Sequence, residues 1–343
     1  MKATVVEKPG KLIVRDVPEP VMGDYDCLCD ALYGATCSGT DVHIIHGDTM
    51  PFEYAFPTML GHETIGRVTK AGSKVENFKV GDLVTRVINR PADGLSSNWG
   101  GFAERGLVTD HLALKKTGVE IGFSEGINQV LPDNFDPAGS TMIITWRETL
   151  SFISRIGVPV RSSVLVIGSG ANGLSFANHA ANMLASKIVM IGSAKRRKDA
   201  LRVGVTDYVR YDEEDVVNVV RRRSLEPFDL IIDAVGKKDQ LDRVLPLVKP
   251  GGVVTIYGVD DFGKVTLTPT SAPGTFTYAN YSYNEGEAHA NVVKLMQNGL
   301  LRPENFCDLE NVFPLDEIGR AFDAVRNRQV VKAVVKLSED PGR

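Results

Sequence analysis

The chain lacks any apolar run approaching the roughly 18 residues that a membrane-spanning helix requires. Its opening residues, MKATVVEKPGK, have no apolar centre of the kind a secretory signal carries, so no leader is expected. Cysteine is scarce: Cys27, Cys29, Cys37 and Cys307 form no C-x-x-C and no regular ladder of spacings. That excludes a disulfide scaffold and points to a cytoplasmic protein with reduced thiols. Positive charge is not in excess either, with 39 Lys+Arg against 43 Asp+Glu and a formal net charge of -4. Such a balance offers no general field for nucleic acid or an anionic membrane, and neither is expected as a partner. Internal repeats and low-complexity tracts are also missing.

What is present is an ordinary globular composition, 43% hydrophobic and 24% charged with 33 Gly and 17 Pro, over 343 residues. That length suits about two domains. Residues 1–140 read as short β-type runs broken by Gly and Pro, among them KATVVEK, KLIVRDV, TIGRVTKAG and VGDLVTRV. From about 160 the rhythm changes. VLVIG (164–168), KIVMIG (187–192), DLIIDAVG (229–236) and GGVVTIYG (251–258) are apolar strands alternating with amphipathic helices. This pattern describes a parallel sheet covered on both faces. The closing stretch, with helices near 287–298 and 315–326 and the strand KAVVKL, is expected to return to the first domain.

IGSGANGL (167–174) holds G-x-G-x-x-G as Gly168, Gly170 and Gly173, ending a strand and opening a helix. In that context the glycines let the backbone approach a pyrophosphate whose charge rests on the helix N-terminus. Ser169, Ala171 and Asn172 lie in the same loop. The competing reading is a glycine turn that only packs helix on strand. An NAD site would carry an acidic residue roughly 20 positions on, at the end of the second strand. Here that strand ends Gly192-Ser193 and runs into Ala194, Lys195, Arg196 and Arg197. A hydroxyl and guanidinium groups suit a ribose 2′-phosphate, so NADP is expected in preference to NAD. The alternative is a solvated basic start to a surface helix. Ala234, Val235 and Gly236, with Tyr257 and Gly258, complete the candidate cofactor-binding residues.

GTDVH (39–43), GHETIGRV (61–68), VGDLV (80–84), VLVIGSGANG (164–173), DLIIDAVG (229–236), VKPGGVVTIYG (248–258) and AFDAVRNRQVVKAVVKL (321–337) carry a specific resemblance. Through them the chain resembles the zinc-type, medium-chain alcohol, polyol and glucose dehydrogenases along essentially its whole length. The resemblance implies an α/β protein with a GroES-like β catalytic domain, residues 1–147 and 286–343. It also implies a doubly wound, parallel-sheet Rossmann domain, residues 148–285. Hydride transfer would occur in a cleft between them, usually in a homodimer or homotetramer. The family's structural zinc needs four closely spaced cysteines; residues 85–103 contain none, so no structural zinc is expected.

The family pattern at the first catalytic ligand is Cys-Gly-Thr/Ser-Asp. Aligning GTD with GTD puts Ser38, not Cys37, at that position. Neighbours in an extended segment face opposite ways, so Cys37 serves only if the backbone bulges or twists by one residue. A serine hydroxyl is a poor zinc ligand. By the resemblance, His62 is the second ligand, and Glu63 lies behind it or ligates as an alternate. The third ligand position falls on Ile144, which binds no metal. Glu148, one helical turn later, is either directed at the metal, an acid/base group, or a carboxylate paired with Arg147 or Arg155. Two readings stand. Cys37, His62 and Glu63, with or without Glu148, form a rearranged site for one zinc ion, or metal is absent and Ser38, Thr40 and His62 donate hydrogen bonds to an alkoxide.

Thr40 fits the family's hydroxyl position, and His43, one turn further on, suits a proton relay near neutrality. Residues 44–56, 89–100 and 275–287 mix aromatic rings with Asn, Asp and Glu, a composition able to hold a sugar or polyol. Residues 275–283 read alternatively as a β edge used for subunit pairing. The expected activity is therefore an NADP-dependent oxidoreduction of an alcohol, polyol or sugar. A metal-free quinone or enoyl reductase and a non-catalytic nucleotide sensor on the same fold are the alternatives. Calorimetric titration of Arg196→Ala and Arg197→Ala should show weakened NADPH binding with NADH little changed; equal weakening of both would show that the basic run does not read the 2′-phosphate.

Overall fold

Strand β1 (Lys2–Lys8) is apolar on both faces, with Ala3 and Val5 turned to one cluster and Val6 to another. Period-two alternation thus serves two cores at once. The computed structural model describes residues 1–48, 54–92, 94–122, 126–213, 215–224 and 226–340. Residues 49–53 of the predicted substrate stretch and residue 93 of the 89–100 loop lie outside them.

After β1 come β2 (Lys11–Asp16), β3 (Asp26–Ala35), α1 (Thr40–His46), β4 (Thr58–Met59), β5 (Glu63–Ala71), β6 (Leu83–Thr85), β7 (Ser96–Ser97) and β8 (Arg105–Thr109). Next are α2 (His111–Lys115), α3 (Pro137–Ser140) and α4 (Met142–Ile156). The alternating part runs β9 (Ser163–Ile167), α5 (Ala171–Asn182), β10 (Lys187–Gly192), α6 (Arg197–Arg202), β11 (Asp207–Arg210), α7 (Val216–Arg223), β12 (Phe228–Asp233), α8 (Gln240–Val244), β13 (Val248–Ile256) and β14 (Thr277–Ala279). The chain closes with α9 (Glu285–Gln297), β15 (Phe313–Pro314), α10 (Ile318–Arg326) and β16 (Val334–Lys336). No helix among the described residues is long and apolar enough to cross a membrane.

Contacts divide the chain into Met1–Arg147 with Asn284–Arg343, and Glu148–Tyr283. In the first unit one sheet is ordered β2-β1-β4-β7. The other runs β15-β16-β3-β5-β6, with β8 also on β3. C-terminal β16 lies antiparallel to β3, pairing Val334 with Ala35, and this tie returns the chain's end to the first unit. The second unit is one parallel sheet ordered β11-β10-β9-β12-β13-β14. Counted from β9, this is the doubly wound order 3-2-1-4-5-6, whose switch point lies between the first and fourth strands. Its strands are buried apolar runs because helices cover both faces.

The chain re-enters the first unit at 283/284 rather than at the predicted 285/286. The reason is local. The Asn284 side chain accepts the Gly286 amide at 2.8 Å, capping α9, and Glu285 is buried against Arg86 and Arg147. Acidic Glu285 and Glu287 in the first turn also complement the helix dipole.

One turn along α9, His289 is 9% exposed; its Nε2 donates to the Val130 carbonyl (3.1 Å) and its Nδ1 accepts from Arg147 (3.5 Å). Burial first, then the Arg147 charge, depresses this imidazole to about 4. An unfolded ring titrates near 6.5, so between those values protons bind the unfolded chain preferentially. The stability contribution is full above the unfolded value and falls as the pH drops towards the folded one, by about 2 kcal/mol near pH 5 for this group. His289→Gln should flatten that limb in urea titrations across the same interval; an unchanged slope would show that His289 does not set it.

Candidate active site

The site is assembled where β3, β5 and β16 meet. Ala35 at the end of β3 pairs with Glu63 of β5 and Val334 of β16. Thr36 extends the tie, accepting the Ala333 amide on its hydroxyl at 3.1 Å. Cys37 leaves the strand, Ser38 and Gly39 turn, and α1 begins at Thr40. Asp41, in the first turn of α1 and fully buried, accepts the Cys37 amide on Oδ2 (2.9 Å) and takes His62 Nδ1–H on Oδ1 (3.1 Å). The turn resolves the register question. Cys37, not Ser38, is brought to His62 and Glu63, with one ligand atom of each within 4.8 Å of the others. Ser38 is exposed. Alignment on GTD puts Ser38 where the structure brings Cys37, because Cys37 lies beyond the strand, where strict alternation of faces no longer applies.

His62 is 5% exposed and its ring lies 5.2 Å from that of Trp99. Burial opposes its protonation, but the Asp41 charge and hydrogen bond, with the Cys37 side chain, outweigh it and raise the imidazole well above its usual value. Its Nε2 is 3.7 Å from Glu63 Oε1. Glu63 is held at both oxygens: Thr145 donates to Oε1 at 3.1 Å, and the Lys332 ammonium bonds Oε2. Lys332 is 2% exposed. Burial works against its charge, yet Glu63 and then Cys37 hold it protonated. Lys332 and Thr145 were missed from sequence. A lysine inside the apolar run VVKAVV (330–335) was the available signal, since an ammonium is rarely buried unless paired.

His43 stands mid-way along α1, with Nδ1 2.9 Å from Asp48 Oδ2 and a side chain 18% exposed. Thr40 opens the same helix. Burial pushes the remaining thiols up, Cys27 and Cys307 to about 12 and Cys29 well above its usual value, so they are packing residues. Glu148 belongs to the second unit, where Tyr257 donates to its Oε2 at 3.3 Å. The Tyr257 ring is fixed edge-on by Phe152 and Phe176, both at 5.0 Å. Arg147 is engaged by Glu285, and Arg155 donates to the Ser282 carbonyl at 2.6 Å.

In the second unit, Gly168 follows β9 at φ +101, where a Cβ would come within 2.6 Å of Val235. Gly173 sits so close over the strand that a Cβ would lie 2.0 Å from the Gly168 carbonyl oxygen. Gly170 caps α5 without a side chain, leaving its first-turn amides, from Ala171 through Gly173, for an anion. Beside this loop, Ser169 Oγ accepts the Ser193 amide (3.0 Å), and Tyr208 donates to the Ser193 carbonyl (2.6 Å). Gly192 admits that contact, for a Cβ there would strike Ser169. Asp233, buried and raised by that burial, accepts the Val235 and Gly236 amides at 2.9 Å each, fixing the loop after β12. Gly258 packs backbone against Val235. Within the basic run Arg196 is 7% exposed with Nη1 3.4 Å from Asp199, while Lys195 and Arg197 face solvent.

Comparison with known proteins agrees with this geometry. Residues 28–118 match the alcohol dehydrogenase GroES-like domain family, and residues 203–335 match the zinc-binding dehydrogenase family. D-arabinitol dehydrogenase 1 of Uromyces fabae is 26% identical, over 98% of this chain and 97% of that protein. L-threonine 3-dehydrogenase of Cronobacter sakazakii is 28% identical, over 98% and 99%. The solved alcohol dehydrogenase TADH from Thermus sp. ATN1 shares the fold, with a TM-score of 0.80 and 24% identity over 98% of this chain and 99% of that one. The two matched domains, the near full-length relatives and the β-plus-Rossmann architecture together establish that the chain belongs to the zinc-type medium-chain family of nicotinamide-dependent alcohol dehydrogenases.

Proposed function

We propose that this enzyme passes a hydride between NADP(H) and an alcohol-bearing carbon of a polyol or sugar, at a metal site formed by Cys37, His62 and Glu63. The convergence of those three ligand atoms within 4.8 Å carries the reading. Thiol, imidazole and carboxylate are a donor set suited to zinc. Asp41 on His62 Nδ1 is the outer carboxylate that orients a ligating imidazole, leaving Nε2 turned to the cluster. Bound there, zinc would supply Lewis-acid polarisation of the substrate oxygen.

The chain's own groups complete the chemistry. Trp99 beside His62 offers an aromatic face for a sugar ring, with exposed Asn98 next to it. Thr40 and His43 share α1, and His43, tied to Asp48 and partly exposed, is placed to pass the alcohol proton towards solvent. Lys195, Arg196 and Arg197, beyond Ser193, are the groups for the 2′-phosphate, Lys195 and Arg197 facing solvent and Arg196 buried beside Asp199. Tyr257 orients Glu148 as a further acid/base group. D-arabinitol dehydrogenase 1 among the relatives supports a polyol substrate.

One observation favours a second reading. Lys332 already neutralises Glu63, so the cluster is electrostatically satisfied without a cation, as a metal-free reductase would need. Metal analysis of the purified protein, with turnover assays on polyols, simple secondary alcohols and enones using NADPH and NADH, tests both. Stoichiometric zinc with polyol turnover is expected; zinc-free protein that reduces enones would establish the alternative.

Lys332→Met strands the Glu63 carboxylate and should destabilise chelator-treated protein by about 3–5 kcal/mol in urea. Added zinc should recover part of that loss. A variant as stable as the original would remove Lys332 as the counter-charge.

A further inference from the structure

Arg86 occupies a conformation that glycine would adopt more cheaply. It follows β6 with φ 57, on the left-handed side, and it is buried at 3% exposure. Side-chain-bearing residues persist there only when the surroundings over-determine them. The backbone is held on both sides: its amide donates to the Thr64 carbonyl at 2.6 Å, and its carbonyl accepts from Asn128 at 2.9 Å. Its guanidinium spans two partners. Nε and Nη2 grip the Glu285 carboxylate, while Nη1 donates to the backbone carbonyl of His62 at 3.1 Å.

Glu285 is in turn fixed by Arg147, whose Nη2 lies 2.6 Å from Oε2 and also donates to the Ile127 carbonyl at 3.0 Å. Arg147 Nη1 reaches Thr85 at 3.2 Å, the residue before Arg86. Two buried guanidiniums thus share one buried carboxylate, and a planar fork is the shape that can hold Glu285 and a carbonyl at once. The arrangement is rigid, and it ends on His62. Arg147 is the last residue of the first unit before the chain leaves it, and Glu285 the second after it returns.

We infer that Arg86 is a positioning residue: anchored by Glu285, it fixes the His62 backbone so that the imidazole is presented to Cys37 and Glu63. This rests on the metal reading of those three residues. Asp41 orients the ring from one side, and Arg86 sets the main chain that carries it.

The role separates from simple electrostatics because the two predict opposite signs. A guanidinium near a cation site repels the cation, so losing its charge alone would tighten metal binding. Losing its grip on His62 would weaken binding whatever the charge. Arg86→Lys keeps the charge without the fork. Arg86→Gln removes both and leaves Glu285 balanced by Arg147, so it remains informative should the lysine variant fold poorly. Arg147→Lys keeps a cation on Glu285 and leaves the Arg86 bonds to Glu285 and to the His62 carbonyl in place. Zinc affinity of each, measured by competition against a chromogenic chelator, is expected to fall about 10–100-fold in both Arg86 variants and to stay unchanged in Arg147→Lys. Affinity in Arg86→Gln equal to or above that of the unsubstituted protein overturns the inference, as does an equal loss in Arg147→Lys. No zinc uptake by the unsubstituted protein overturns the metal reading, and this inference with it.

Discussion

The geometry of the site depends on one buried carboxylate. Asp41 accepts the Cys37 amide on one oxygen and the His62 imidazole on the other, so a single side chain joins the end of β3 to the start of β5. Without the first bond the extra residue Ser38 would leave the thiol's direction unset. Without the second, the imidazole would be free to present either nitrogen. A charged acceptor makes both bonds stronger than neutral partners could. Its place at the first turn of α1 adds the favourable end of the helix dipole.

Around Asp41 the first unit buries charge in groups where each carboxylate meets a cation. Glu63 faces Lys332, and Glu285 faces Arg86 and Arg147. Such pairs add little net stability over apolar packing, but breaking one side leaves an uncompensated charge. They therefore act as geometric constraints more than as adhesive. Each ties distant parts of the chain: Lys332 near the C-terminus to Glu63, Glu285 to the loop after β6. One group ends on Glu63, beside the imidazole, and the other on the carbonyl of His62, which carries it.

The second unit works by close backbone approach instead of buried charge. Gly168 and Gly173 bring strand, loop and helix together at the switch point of the sheet, and Asp233 pins the loop facing them. These contacts leave the first-turn amides of α5 open to an anion. The same physics made this half readable in advance. Apolar strands of fixed length, a glycine turn and a helix follow one another locally, and nothing distant has to be known.

The catalytic half was legible only in part. His62, Glu63 and Cys37 stood out as metal-binding residue types in a family pattern. Lys332, Thr145 and Arg86 could not be assigned, because each acts on a residue far away in sequence and no local pattern marks its role. Thus periodicity and glycine spacing by themselves determined the two-part α/β architecture and the nucleotide loop, and the family resemblance marked out Cys37, Ser38, His62 and Glu63 as candidates. Which of Cys37 and Ser38 turns inward, and what holds His62 and Glu63 in place, only the tertiary structure decided. Those choices are made by hydrogen bonds and ion pairs between remote segments, which exist only after the strands have paired.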